Sequence, residues 1–439
     1  MQKQLIHKII KIIINDNPNF VFDSRIVKKG DIFIGIKTNN DNGSNYVDAA
    51  LKKGCSLAII DKKILHKNIL YSPNVIKLLK SISIEILKNY KGKIIAVTGS
   101  VGKTTIKENI FYIFNNEKIK SYKSYKNHNN ELGLIFNILN MNLKTAYSIF
   151  EVGISQNNEM KILTSILNPH YVLITNIEDS HIGNFGSYKK LMENKLLLLK
   201  SNRLISGLIN FNKSKKLIPV FYKLKNNIEI VNIEKDITIN KIAIYKNKSK
   251  LNFDYNNNNY LIESESNSKI SFNIAILSFL FIRKILMSFK FINFFYISSF
   301  LQGHGNIIKV DNAKKKYLIF DHSYNASPFS MKENLNSFLN NSNYDKNNFL
   351  IIGSMKELGH NTLKYHIEII NLLKLYENTF FIGEEFFKLL SKDNPHNLKF
   401  YKTYQEFLPI IKKYINNPKK IFIMGSRSNN LDIVVRELC

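Results

Sequence analysis

No tryptophan occurs among the 439 residues, and only two cysteines do, Cys55 and Cys439. The two stand far apart without His or Cys neighbours. Neither a disulfide framework nor a zinc site is therefore expected, and a reducing compartment fits. Acidic residues are the minority charge, 34 against 63 Lys and Arg, which leaves a formal charge of +29. A basic excess often marks a chain that binds nucleic acid or an anionic membrane. Here the lysines are spread evenly and no basic arm stands apart. Lys, Asn and Ile are abundant throughout, whereas Ala and Gly are scarce. That pattern reads as a bias toward A/T-rich codons combined with an anionic small-molecule substrate rather than a polymer. A long hydrophobic run is also missing. The longest, Ile270 to Ile282, is cut off by Arg283 and Lys284, too short to span a bilayer and suited to a buried helix. The opening stretch MQKQLIHKIIKIIINDNPNF has lysines inside its apolar patch and no small-residue cleavage site, so it is not expected to be a signal peptide.

What is present is core-forming material. The chain is 44% hydrophobic and long enough for two to four ordinary domains. Residues 1–90 alternate short apolar runs with turns and read as a small α/β unit, with strands at 31–36 and 56–61 and a helix over 46–54 ended by Gly54. Residues 91–302 repeat strand and helix. KIIAVTG, AYSIFEVG and YVLITNI are near-continuous apolar runs, as expected of parallel strands covered on both faces. The stretch 245–265 alternates like an antiparallel ribbon, and a helix is expected over 270–300. Residues 303–439 begin again with KKYLIFDHSYNASP, followed by NFLIIGSM, NTFFIGEE and KKIFIMGSR. This is a second doubly wound, Rossmann-like pattern. The fold class is α/β in three domains.

The chemistry is concentrated in AVTGSVGKTT. The strand Ile94–Val97 feeds a loop of Thr98, Gly99, Ser100, Val101, Gly102, Lys103, Thr104 and Thr105. Glycines let backbone N–H groups close around phosphate oxygens, and the following helix adds its positive end. Lys103 is placed for the terminal phosphates of ATP and the Thr104 hydroxyl for Mg²⁺. Val97 stands where the usual motif has its first glycine. Glu151 ends an apolar strand and suits magnesium, Asn176 ends another, and His181 follows. Singly these are ordinary loop residues. Together they lie at the carboxyl ends of neighbouring parallel strands, where open α/β sheets hold ligands.

TGSVGKTTIKE, NHNNELG, FEVGISQNNEM, LITNIEDSHIGNFGS, DHSYNASPFSM and GSMKELG resemble the Mur ligases in order and spacing from about residue 23 to 436. Within that family, the SYNASP and GSMKELG stretches are similar to the members that add D-alanyl-D-alanine. Folate polyglutamylating enzymes share the phosphate loop but lack the N-terminal part. The resemblance implies a cytoplasmic, monomeric, three-domain enzyme that inserts in no membrane. It would use ATP and Mg²⁺ to join D-Ala-D-Ala to a UDP-N-acetylmuramoyl-tripeptide of peptidoglycan synthesis. It places Asp23, Ser24 and Arg25 near the uridine nucleotide, and Asn127, Asn129, Asn130 and Glu131 on the muramoyl-peptide side. Thr104, Glu151 and His181 become metal ligands, Asn273 an adenine-side residue and Asp321 a ribose contact, with Tyr324 and Asn325 at the domain junction. By spacing alone Lys195 is a helix-surface lysine. In the family the matching lysine is carbamylated and supports a second magnesium.

The chain departs from the family pattern at His304, between Gly303 and Gly305, where Arg is usual. It departs again at Met424, where a Lys usually precedes Gly425, Ser426 and Arg427, at His322 in place of an acidic residue, and at Lys269 in place of His. Two other readings stay open. One is a ligase of the same superfamily adding a single amino acid. The other is a basic nucleic-acid-binding phosphate-loop protein, which predicts steeply salt-dependent affinity, although no helicase-like interleaving of aromatic and basic residues is present.

Overall fold

The computed structural model describes residues 2–16, 18–38, 41–126, 128–178, 182–211, 227–245, 248–264, 269–286, 294–296, 301–312, 315–342, 347–389, 398–414 and 418–439. Two of the expected site residues, Asn127 and His181, lie outside them.

The apolar runs become strands of four sheets. The first holds β1 (Phe20–Val21), β2 (Ile32–Ile34), β3 (Leu57–Ile60) and β4 (Ile69–Tyr71), all parallel and in sequence order. The second is built from β5 (Lys93–Thr98), β6 (Ser121–Lys123), β7 (Tyr147–Glu151), β8 (Tyr171–Ile174), β9 (Ser206–Asn210) and β10 (Ile228–Val231). Its order is β10-β9-β8-β5-β7-β6, again all parallel. Between β7 and β8 the chain crosses over β5, so the winding reverses there and a crevice opens at the carboxyl ends of β5, β7 and β8. Ile94 to Val97 are wholly buried, which is why this run is unbroken by polar residues.

A ribbon follows: β11 (Thr238–Tyr245), β12 (Lys248–Tyr255) and β13 (Asn258–Ser264) pair antiparallel. The helix Lys269–Leu286 packs against the phosphate-loop helix Lys103–Asn116. It is shorter than the expected 270–300. It ends at Leu286, just past the pair Arg283 and Lys284, and Phe294–Tyr296 forms β14, parallel to β13. The last sheet is β15 (Asn306–Asn312), β16 (Lys315–His322), β17 (Asn348–Gly353), β18 (Thr379–Ile382), β19 (Leu398–Tyr401) and β20 (Lys420–Met424). It is ordered β15-β16-β20-β17-β18-β19, with only β15 antiparallel.

The cores do not follow the four sheets one to one. A single apolar cluster runs from Ile9, Ile10 and Ile13 of the helix Gln2–Asp16 through Phe20, Ile32 and Ile59. It continues along the helix Val75–Asn89 to Leu134, Phe150, Ile174 and Leu198. One face of the first sheet and one face of the second therefore share one core, while the other face of the first sheet has a small cluster of its own around Phe33, Val47 and Ala58. The other face of the second sheet packs on Lys103–Asn116, Lys269–Leu286 and the ribbon. The last sheet has two clusters of its own, one per face. Among the described residues no helix is long and apolar enough to cross a membrane.

Candidate active site

The crevice at β5, β7 and β8 is a cavity of about 760 Å³ closed by the last α/β unit. Its floor is the phosphate loop. Gly99 and Gly102 take φ of +147° and +85°, which side chains rarely adopt. A Cβ at Gly99 would lie 2.0 Å from the Thr175 hydroxyl, and one at Gly102 would lie 2.9 Å from Ile274. Gly102 caps the following helix with no side-chain bond, leaving the first-turn N–H groups for an anion. Asn176 braces the loop from β8, its Oδ1 accepting from the N–H of Ser100 at 3.1 Å and of Val101 at 2.9 Å. Gly99→Ala is accordingly expected to weaken nucleotide binding about 10- to 100-fold, read by titration calorimetry with ADP. Unchanged affinity would mean that the strained turn is dispensable.

Lys103 curls over the loop and donates to the carbonyls of Gly99 (3.0 Å) and Ser100 (3.3 Å). Burial lowers its pKa and the Glu151 carboxylate opposes that shift. Glu151, 2% exposed at the end of β7, accepts from the Thr104 hydroxyl at 2.8 Å and from the Asn129 amide at 2.7 Å. Asn129 is seated so closely that a Cβ on Gly153 would meet its side chain at 2.7 Å. Lys195, from the helix Tyr188–Leu196, is 3% exposed and lines the same cavity. It is not a surface lysine. Burial first, and then the charge of Lys103, hold its pKa well below the ordinary lysine value.

The residues from the last unit that face this floor include Gly303, His304, His322, Tyr324, Asn325, Lys356, Glu357, Ser426 and Arg427. The rings of His304 and Tyr324 lie 4.2 Å apart, and the Arg427 guanidinium sits 5.4 Å from the Tyr324 ring. Gly183 and Gly359 bring the two units into backbone contact; a Cβ on either would lie 2.8–2.9 Å from the other's Cα. Lys269 bonds Glu234 at 2.9 Å and reaches Glu333 at 3.8 Å.

Burial holds His304 and His322 at about 4, well below the ordinary histidine value. The charges of Lys107 and Arg427 add to the effect on His304, and His304 itself adds to that on His322. The unfolded chain takes up these protons below a pH of about 6.5, the folded one only near 4. Stability is therefore intact above about 6.5 and declines as pH falls toward 4. Thermal melts between pH 7.5 and 4.5 are expected to show that decline, and His304→Gln with His322→Gln to flatten it. An unflattened curve would assign the decline to other groups.

Several expected residues lie elsewhere. Asp321 is buried, and its carboxylate accepts from the N–H of Gly303 (3.1 Å) and Ser323 (3.0 Å). Burial raises its pKa. It braces the junction and is not among the residues that line the cavity. Asn273 is flanked by lining residues, but Ile270, Ser271 and Ile274 form that wall. Thr98 is wholly buried beneath the loop. Asn130 reaches the cavity and caps the helix Glu131–Leu139 by accepting from Gly133 N–H at 2.9 Å, whereas Glu131 pairs with Lys80 at 3.1 Å. Asp23 and Arg25 form an exposed ion pair at 2.8 Å on the first unit, with Ser24 buried between them. Arg25 holds the Asp23 carboxyl down at about 2. Sequence reasoning missed Lys356 and Glu357 as parts of the cavity wall. Both sit inside a stretch already singled out, GSMKELG.

A profile of the Mur ligase middle domain matches residues 97–278, the span that carries the phosphate loop, Glu151 and Lys195. Over 435 residues the chain is 30% identical to the UDP-N-acetylmuramoyl-tripeptide–D-alanyl-D-alanine ligase of Rickettsia prowazekii, covering 94% of this chain and 93% of that relative. The chain belongs to the Mur ligase family. Its fold also resembles that of a MurF from Acinetobacter baumannii, with a TM-score of 0.81 at 21% identity over 96% of this chain and 93% of that one. MurF from Thermotoga maritima, solved in complex with ADP, gives 0.79 at 22% identity over 96% of each chain.

Proposed function

We propose that this Mur ligase joins D-alanyl-D-alanine to UDP-N-acetylmuramoyl-tripeptide with ATP, giving the pentapeptide precursor of peptidoglycan. The observation that carries the reading is the convergence of Lys103, Thr104, Glu151 and Lys195 in one cavity, in a chain alike over nearly its whole length to a ligase of that name. The domain limits 1–90, 91–302 and 303–439, a monomeric state and a cytoplasmic location belong to the same reading and rest on the family resemblance.

The peptide carboxylate attacks the γ-phosphorus of ATP, ADP leaves, and the carboxyl becomes an acyl phosphate. The free amine of D-Ala-D-Ala adds to that carbonyl. The tetrahedral adduct expels phosphate and the nitrogen loses a proton, leaving the amide. Anionic groups must meet at every stage, so positioning and cationic charge carry the catalysis. Lys103 neutralises the terminal phosphates, and the phosphate loop orients them through its N–H groups. Lys356 and Arg427 bring positive charge from the opposite wall.

The donor set also suits magnesium. Glu151 is a buried carboxylate fixed by two neighbours, with the Thr104 hydroxyl beside it. One carboxylate and one hydroxyl, completed by phosphate oxygens and water, is how that ion is usually held. Thr104 and Glu151 would hold it, and it would supply charge neutralisation across the phosphates. His181 and carbamylated Lys195 are proposed for a second ion.

The test is an ADP-release assay with ATP, Mg²⁺, D-Ala-D-Ala and tripeptide precursors ending in diaminopimelate or in lysine. Turnover that needs both the dipeptide and a tripeptide supports the reading. Turnover with single amino acids instead would move the chain to the other ligases of the superfamily. No turnover, with salt-sensitive nucleic-acid binding in its place, would overturn it.

A further inference from the structure

The phosphate-loop helix carries a second lysine one turn beyond Lys103. Lys107 is 0% exposed, yet its ammonium points away from the cavity into the segment that follows β6. Its Nζ donates to the carbonyl of Ser124 at 2.9 Å and to that of Lys126, and lies 3.5 Å from Glu108 Oε1. Its partners can therefore engage all three ammonium protons, the condition under which such a group survives burial. Lys126 sits at φ +47°, a left-handed turn that costs energy for a side-chain-bearing residue unless something holds it. The bonds of Lys107 lie on both sides of that turn.

The anchored segment runs directly into the metal-ligand candidate. The Ser124 hydroxyl accepts from the N–H of Glu151 at 3.1 Å. Three residues beyond Lys126, the Asn129 amide donates to Glu151 Oε1, while its carbonyl accepts from Gly153 N–H at 3.0 Å. On the far side Asn137 ties the segment down, accepting from Tyr125 N–H at 2.6 Å and donating to the His128 carbonyl at 3.2 Å. Lys107 ties the segment to the phosphate-loop helix itself. It couples the helix holding Thr104 to the segment holding Asn129, and these two side chains grip opposite oxygens of Glu151.

We propose that Lys107 is a positioning residue that fixes the Ser124–Lys126 turn so that Asn129 and Thr104 orient the Glu151 carboxylate toward the metal of bound nucleotide. This rests on the reading of Thr104 and Glu151 as the magnesium site. Orientation of a ligand carboxylate by its hydrogen-bond partners commonly governs metal affinity by 10- to 100-fold.

The experiment measures binding of a non-hydrolysable ATP analogue by calorimetry, with and without Mg²⁺, for the full-length protein and the variants Lys107→Met, Asn129→Ala and both together. The unaltered protein is expected to bind more tightly with Mg²⁺. Lys107→Met is expected to lose about tenfold of that gain while metal-free binding stays within about twofold. Asn129→Ala is expected to do the same, and the double variant to lose no more than either alone, as for residues acting through one carboxylate. A gain absent from the unaltered protein would sink the magnesium-site reading and this proposal with it. A gain retained in Asn129→Ala, or full additivity in the double variant, would overturn the proposal alone, and the Asn129→Ala result stands even if Lys107→Met folds poorly. Equal loss with and without Mg²⁺ would make Lys107 a fold-supporting residue only.

Discussion

Lys103→Ala is expected to lower ADP formation by about 10³-fold or more, about 4 kcal/mol of transition-state stabilisation. Among the described residues, the ammonium over the phosphate loop donates its hydrogen bonds to two backbone carbonyls. Those bonds are replaceable by water, so the fold has little stake in it, whereas a transferring phosphoryl group has a large one. The charge is also poorly hydrated where it sits, which strengthens its action on a nearby anion. The thermal midpoint is therefore expected to stay within a few degrees while turnover collapses. A variant that keeps more than about a tenth of the rate would remove the phosphate loop from the reaction.

The second large effect is expected at Lys195. Two positive charges, Lys103 and a protonated Lys195, in one buried cavity would repel each other. Burial first and Lys103 second hold the Lys195 pKa well below the ordinary lysine value, which favours the neutral amine. A neutral amine is a nucleophile toward CO₂. Its lone pair forms the N–C bond, one C–O π pair moves onto oxygen, and a proton leaves, giving a carbamate anion. Repulsion from Lys103 then becomes attraction. Lys195→Arg, which keeps a cation and cannot form the carbamate, is expected to lose about 100-fold in turnover. The unaltered protein, stripped of CO₂, is expected to lose activity and regain it with bicarbonate, and native mass spectrometry at neutral pH should show one added CO₂. A Lys195→Arg protein that turns over at the full rate without bicarbonate would dismiss the modification.

The strands were legible because parallel strands buried on both faces leave unbroken apolar runs, as in Ile94–Val97, and the ribbon was legible because its alternation has a period of two. The helix expected to reach residue 300 was not, since hydrophobicity alone does not separate a buried helix from an aromatic edge strand. At the site, Gly99, Gly102, Lys103 and Glu151 announced themselves through local spacing. Asn176, bracing Ser100 and Val101 from about 75 residues away, could be placed at a strand end but not given that task. Asp321 could be named in a recognisable stretch but not oriented; its carboxylate is turned onto the N–H groups of Gly303 and Ser323. For Lys195, the pattern YKKLMENKL has no feature that distinguishes a wet helix face from a buried one, and only tertiary packing makes the difference.

The continuous apolar cluster shared by the first two units limits how the molecule can move. Prising those units apart would wet a large oily surface, so they travel as a single block. The last unit keeps its clusters to itself, and its known contacts with the block include the paired glycine backbones, the Lys269–Glu333 ion pair and the walls of the cavity. Contacts of that kind can open and re-form without exposing a core. The cavity that carries the phosphate loop therefore lies at the seam between a block with a continuous core and a unit with cores of its own.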